Sequence, residues 1–247
     1  MLATTKLVAA NAPVKFAWTP TTEQLAAANV SRLARKLGCA SYEELHRVSI
    51  DEPDRFWRAV VDDLELQISP WERVLDDSRG IEWTTWFEGS KLNIATAALH
   101  VWAERTPDAV AAIFRGEDGA RREWTFAELS REVVRVAEAL AALGVEPGDR
   151  VAIYMPMSPE AAVASHAVAH IGAVQVPIFS GFAASAVVQR LQDSAARVVI
   201  TADHSFRRGA RIPMLETIEE ARRESPSVEH VLVWRRDDMT WDAELGP

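Results

Sequence analysis

The stretch DRVAIYMPMSPEAAVASHAVAHIGAVQVPIFSGFAASAVVQRLQDSAARVVITADHSFRRGARIP, Asp149–Pro213, decides the fold. Short β-branched runs alternate in it with Ala-rich runs of helix length, and turn chemistry sits at each boundary. Arg150–Tyr154, Ala173–Ile178 and Arg197–Thr201 read as buried strands, with Pro159–Ile171 and Ala183–Asp193 as the helices between them. Strand, helix, strand, helix, strand is the pattern of an α/β protein whose parallel sheet is covered by helices. Ligands on such sheets gather outside the carboxyl ends of the strands. Those ends carry Phe179-Ser180-Gly181-Phe182 and, one strand later, the basic loop His204–Arg211. A site is expected there.

On the carboxyl side, Leu215–Arg223 predicts a helix and Glu229–Trp234 a strand, while Asp237–Pro247 shows no clear element. On the amino side, Thr125-Phe126-Ala127-Glu128 is a capping box, and Leu129, Val133, Val136, Leu140 and Leu143 keep to one helical face until Gly144. Val110–Phe114 and Arg122–Thr125 alternate like paired strands around the turn Gly116-Glu117-Asp118-Gly119. Asn93 caps a helix running through Leu99 and Trp102. Before it, helices are predicted from Thr21 or Thr22 to Leu37, after the Ser41 cap, and from Asp51-Glu52-Pro53 through Leu64. Ser69–Gly80 reads as an irregular crossover and residues 1–20 as an extended or mobile lead-in. The chain thus divides into a helical segment, 1–90, and an α/β part, 91–247.

A net charge of −9 over 247 residues argues against general nucleic-acid binding. The single cysteine, Cys39, excludes a disulfide framework and fits a reducing, cytoplasmic setting, with Cys39 as a packed residue. Met1–Trp18 lacks the uninterrupted apolar core of a secretory signal. The run between Glu160 and Arg190 carries no charge and is long enough to cross a bilayer. His166, His170, Gly172, Gln175 and Pro177 interrupt it, and a covered strand between two packed helices accounts for it better. Trp18, Trp57, Trp71, Trp83, Trp86 and Trp102 lie in the first 102 residues. They lack a spacing that would present their rings on one face, so they read as large packing residues.

The sequence has no G-x-G-x-x-G, no G-x-x-x-x-G-K-[ST] and no G-x-S-x-G. Its four lysines, Lys6, Lys15, Lys36 and Lys91, all precede the central stretch. His166 and His170 have the i, i+4 spacing of zinc ligands, but Ala and Val surround them and helix packing explains them better. Arg207, Arg208 and Arg211 cluster around Gly209. Guanidinium groups grip phosphate through paired planar hydrogen bonds, and Phe179, Ser180 and Gly181 could form a slot for a flat base. A phosphorylated, adenine-type ligand would satisfy both loops; a solvated arginine cluster is the plainer alternative.

The run Trp86-Phe87-Glu88-Gly89, with Leu92-Asn93, Thr125–Leu129, Pro147-Gly148-Asp149-Arg150-Val151, Ile171-Gly172-Ala173, Phe179–Phe182 and Ile200-Thr201-Ala202-Asp203, resembles the acetyl-CoA synthetase family. More broadly it is similar to the AMP-forming acyl-CoA synthetases, which are adenylate-forming enzymes. The resemblance runs from about Tyr42 to Trp234. It implies the incomplete N-terminal domain of an acid–thiol ligase that makes acyl-CoA, AMP and diphosphate from a carboxylic acid, ATP and CoA, with Mg. It assigns the CoA adenine pocket to Phe179, Ser180 and Gly181, closed by Ile212 and Pro213, and a phosphate contact to Arg207. The family's second basic position is Ala210 here, so that Arg208 or Arg211, flanking Gly209, would have to supply that contact. Ser180 stands in place of a glycine. No catalytic residue and no metal ligand is assigned, because the family's phosphate loop, acyl pocket and adenylation lysine would fall beyond Pro247. Trp18-Thr19-Pro20 and His46–Ile50 look like acetoacetyl-CoA synthetases, and a short acyl chain such as acetate is implied. By itself the chain is expected to be inactive and to partner the C-terminal part of the same enzyme. The other reading is a non-catalytic nucleotide- or CoA-binding module, or a protein-interaction module that associates through an exposed sheet edge.

Overall fold

The computed structural model describes residues 17–117 and 119–245. Most of the lead-in expected over residues 1–20, Lys6, Lys15, Asp118 and the terminal Gly246-Pro247 lie outside them. The chain forms two compact units, one of residues up to Leu66 with Pro70–Ser90, the other of Gln67–Ser69 with Lys91 onward.

The first unit contains helices α1 (Thr22–Ala27), α2 (Asn29–Lys36), α3 (Tyr42–Asp51) and α4 (Pro53–Asp63). Where one helix was expected up to Leu37 there are two, because Ala28 is extended, at ψ 140°, between them. Leu37, Leu45 and Ala59 are the buried centre, and Cys39 packs beside them. The crossover expected to be irregular contains a short strand, β1 (Leu75–Asp76), paired antiparallel with β2 (Thr85–Trp86). Trp57 meets Trp86 edge-on at 5.7 Å and Trp71 meets Phe87 at 5.4 Å, although Trp57 and Trp86, like Trp18 and Trp83, are exposed.

In the second unit, Asn93 Oδ1 accepts hydrogen bonds from the Ala95 and Thr96 N–H groups. The helix it caps passes through a π-helical turn, Thr96–His100, before α5 (Val101–Arg105). The hairpin β3 (Val110–Arg115) and β4 (Arg121–Thr125) leads into α6 (Phe126–Ala142), whose capping box is formed by Thr125 and Glu128. Then follow β5 (Arg150–Tyr154), α7 (Pro159–His170), β6 (Val174–Pro177), α8 (Ala184–Ser194) and β7 (Val198–Ala202). The chain continues through β8 (His204–Arg207), β9 (Ala210–Pro213), α9 (Leu215–Arg223), β10 (His230–Arg235) and β11 (Thr240–Leu245).

The main sheet has the order β11-β10-β7-β5-β6, with β10, β7, β5 and β6 parallel and β11 antiparallel at its edge. The chain moves one way from β5 to β6 and back the other way from β6 to β7. Right-handed crossovers therefore put α7 and α8 on opposite faces, where α7 packs with α6 and α8 with α9. β7 is buried at every position, and β5 at all but its first, as β-branched strands covered on both faces must be.

Three further expectations need correction. Ala173–Ile178 is not a buried strand: β6 lies at the edge of the sheet and is largely exposed among the described residues. Pro177 fits that place, since it has no N–H to give a second neighbour. The final residues are not structureless, because Thr240–Leu245 pairs with β10 over its full length. The basic loop His204–Arg211 is a β-hairpin with Arg208-Gly209 as its two-residue turn. Both turn residues have positive φ, 53° and 77°, as such hairpin turns require. Arginine seldom takes that conformation, so the local signal was weak.

One charge cluster ties the amino ends of three strands together. Arg197, before β7, reaches Asp149 at 2.5 Å and Glu229, which precedes β10, at 2.7 Å. The Glu146 N–H and then Arg197 hold the Asp149 carboxyl below its usual range; Arg197 does the same for Glu229. Lowered folded pKa values mean stability present above the unfolded carboxylate range, roughly pH 4, and lost as pH falls through the folded values. The thermal midpoint is expected to drop between pH 5 and pH 3, and to drop less in an Arg197→Met variant. Parallel pH profiles for the two proteins would show that the cluster contributes nothing.

Candidate functional site

The carboxyl ends of the parallel strands open onto a cleft of about 580 Å³. Between β5 and β7 the connections leave in opposite directions, which is where open α/β sheets form a crevice. Tyr154 and Pro156 come from the end of β5, Phe179–Ala183 from the loop after β6, Ser205–Arg207 from β8, and Arg236 from the end of β10. The end of β3 adds Phe114 and Arg115.

Tyr154 is buried, and its hydroxyl lies 3.1 Å from the Ser180 carbonyl and 3.0 Å from that of Phe182, to which it donates. Burial pushes the phenol upward, so it stays a donor at neutral pH and anchors the loop. Phe182 packs edge-on against Phe179 at 5.5 Å and carries Arg190 over its ring at 4.2 Å. Phe179 itself is 62 % exposed, leaving its ring free to the cleft. Gly181 leaves room where the two side chains meet: a Cβ there would lie 2.7 Å from Phe179 Cε1 and 3.3 Å from Arg207 Nη1, so the Phe179 ring would have to move. The same distances bring the aromatic loop and the tip of β8 together.

Asp203 holds the base of the hairpin. Its carbonyl accepts from the Met214 and Leu215 N–H groups, at 3.1 and 3.3 Å. Its Oδ1 accepts from the His204 N–H at 2.8 Å and the Arg236 N–H at 3.2 Å. His204 is 2 % exposed, with Nδ1 at 2.9 Å from Asp203 Oδ1 and 3.1 Å from Arg211 Nη2. Arg211 also donates to Asp237 at 3.2 Å. Asp203, His204 and Asp237 have ligand atoms close enough for a metal ion, but the Arg211 guanidinium already brings positive charge among them.

Of the residues expected to form the site, Phe179, Ser180, Gly181, Arg207 and Ile212 line the cleft together. Arg208 and Gly209 make the hairpin turn, Ala210 pairs with Arg207, and Pro213 pairs with His204; these and Arg211 are outside the lining. Sequence reasoning missed Tyr154, Phe206, Arg115 and Arg236. Tyr154 at the end of a buried strand is a legible signal, since a buried phenol seeks a partner. The rest depend on which strands become neighbours. The histidines of α7 are accounted for by helix packing: His166 Nδ1 lies 2.8 Å from the Ala162 carbonyl, and His170 Nδ1 lies 2.9 Å from His100 Nε2. Burial, then the neighbouring His170, lowers the His100 pKa, consistent with a neutral chain that continues to Ser130 at 2.8 Å.

No helix of the described residues is long and apolar enough to cross a membrane. Residues 99–246 match the family model of AMP-binding enzymes, and residues 42–98 match that of the acetyl-coenzyme A synthetase N-terminus. The chain is 43% identical over 218 residues to an acetyl-coenzyme A synthetase of Deinococcus radiodurans, covering 88% of this chain and 32% of that protein. It is 39% identical over 199 residues to a 3-hydroxypropionyl-coenzyme A synthetase of Sulfurisphaera tokodaii, covering 79% and 30%. It spans about a third of the length of these relatives. Among solved structures it is similar to the acetoacetyl-CoA synthetase from Streptomyces lividans, with a TM-score of 0.81 and 36% identity over 87% of this chain and 34% of that one. The mixed α/β sheet, its strand order and these matches agree: the chain belongs to the AMP-binding enzyme family.

Proposed function

We propose that the chain forms the N-terminal part of an AMP-forming acyl-CoA synthetase, which converts a carboxylic acid, ATP and CoA into acyl-CoA, AMP and diphosphate. Its cleft contributes to the CoA site. The observation that carries this reading is the meeting of an exposed aromatic ring, Phe179, with the guanidinium of Arg207 across Gly181. Phe179 and Ile212 offer flat apolar surface to an adenine, and Arg207 offers paired donors to a phosphate. The glycine keeps the slot between them open. A short acyl group such as acetate fits the similarity to acetyl- and 3-hydroxypropionyl-coenzyme A synthetases. ATP and Mg belong to the same reaction, while the central stretch offers neither a G-x-x-x-x-G-K-[ST] loop nor a lysine for them.

The reading divides the labour. These residues hold and orient the thiol carrier, and adenylation of the acid is the work of the family's phosphate loop and lysine. By itself the chain is expected to bind CoA weakly, because the ordering cost of binding is offset by only part of a pocket. Calorimetric titration with CoA at low salt tests this. Binding should be detectable and should weaken about 10-fold in Arg207→Ala, as expected for loss of a charge-assisted contact. No binding by the native chain, or equal binding by both proteins, would sink the reading.

A further inference from the structure

The hairpin presents a single arginine to the cleft. Arg208 stands at the turn, at φ 53°, outside the cleft lining, and Arg211 is drawn away by Asp237 at 3.2 Å and His204 at 3.1 Å. Glu117, whose Oε2 accepts from the Gly209 N–H at 3.4 Å, puts a carboxylate beside the hairpin tip. That carboxylate offsets part of the hairpin's positive charge, and the other cations lining the cleft are Arg115 on β3 and Arg236 after β10. Arg236 is in position. It lines the same cleft from the end of β10, and its guanidinium carbon lies 5.9 Å from the ring centre of Phe206, the residue before Arg207.

The Arg236 backbone is not free to drift. Its N–H is bonded to Asp203 Oδ1, the same atom that receives the first N–H of the hairpin. One carboxylate thus sets the start of β8 and the end of β10, and with them the origins of both arginines. Residues 29 positions apart in sequence are placed on one wall of the cleft by a single acceptor.

We infer that Arg236 is a phosphate-binding residue of this cleft, acting with Arg207 on the nucleotide end of a CoA-type ligand in place of a second hairpin cation. The inference rests on the CoA reading above, and it adds a residue from a different strand. Two guanidinium groups that line one cleft, one from the β8–β9 hairpin and one from the end of β10, can hold a phosphate monoester or a diphosphate by paired N–H donors.

The test is calorimetric titration of the chain with CoA and with dephospho-CoA, using native protein, Arg236→Gln, Arg236→Lys and Arg135→Gln. Arg135, on the outer side of α6 and paired with Glu132, controls for the change in net charge. Arg236→Gln should weaken CoA about 10-fold and flatten its salt dependence, and Arg236→Lys should recover part of the loss. Arg135→Gln should match the native protein. If the loss largely disappears with dephospho-CoA, Arg236 meets the monoester; if it persists, it meets the diphosphate. Affinity of Arg236→Gln within twofold of native, alongside a clear loss in Arg207→Ala, overturns the role of Arg236 and leaves the CoA reading intact. No CoA binding by the native protein overturns both. Circular dichroism melting of each variant reports folding separately, and Arg236→Lys keeps the test decisive if Arg236→Gln unfolds.

Discussion

Glu160→Ala is expected to lower the free energy of unfolding by about 3–5 kcal/mol, a large part of the 5–15 kcal/mol typical of a domain. Glu160 is only 1 % exposed, and both its oxygens are taken by Arg122, at 2.8 and 3.1 Å. The arginine reaches it from β4, so the pair clamps the β3–β4 hairpin to the start of α7. The carboxylate also lies in the first turn of α7, where the helix dipole favours negative charge. Removing the acid leaves the Arg122 guanidinium, itself 29 % exposed, half-buried without its partner. That orphaned charge, more than the lost attraction, is the cost. The double variant Glu160→Met with Arg122→Met should therefore be less destabilised than Glu160→Ala alone. Urea denaturation of the set decides the matter, and a loss under about 1 kcal/mol for Glu160→Ala would mean that water reaches the pair.

Gly181→Val is expected to weaken CoA binding by about 10-fold or more, which is at least about 1.4 kcal/mol, with little change in stability. The new Cβ begins 2.7 Å from Phe179 Cε1, inside any permitted contact. Phe179 is exposed and can swing aside, so folding tolerates the change. The displaced ring no longer forms the flat wall of the slot, and the valine methyls crowd Arg207, which lies 3.3 Å from the same Cβ. One substitution thus disturbs both halves of the site. Gly181→Ala should show the same effect in smaller degree. Titration with CoA measures it, and native affinity in the valine variant would remove the Phe179–Arg207 slot from the site.

The alternation of elements over Asp149–Pro213 was legible because it is local. β-branched runs as short as Arg150–Tyr154 and helix-length Ala-rich runs such as Pro159–His170 announce themselves by composition and period. Thr125 and Glu128 announce the start of α6 in the same way, since a capping box is complete within four residues. Phe179 and Gly181 stand out in the same way, because they sit in the loop that follows such a strand. Not every element carries such a local mark. Arg208 at the turn of the β8–β9 hairpin hides the hairpin, because arginine is a poor signal for positive φ. Thr240–Leu245 lacks a local strand pattern, because its strand character depends on pairing with β10.

By itself, then, the sequence determined the order and kind of most elements and the loops that meet at the cleft, for these follow from periodicity and turn chemistry within a few residues. Only the tertiary structure decided that β5 lies between β6 and β7, that Pro177 stands at an edge, that Arg211 turns to Asp237, and that Tyr154, Arg207 and Arg236 share one cleft. Neighbour relations between strands, and the ion pairs that divert or direct an arginine, arise from chain segments tens of residues apart. No local pattern encodes them.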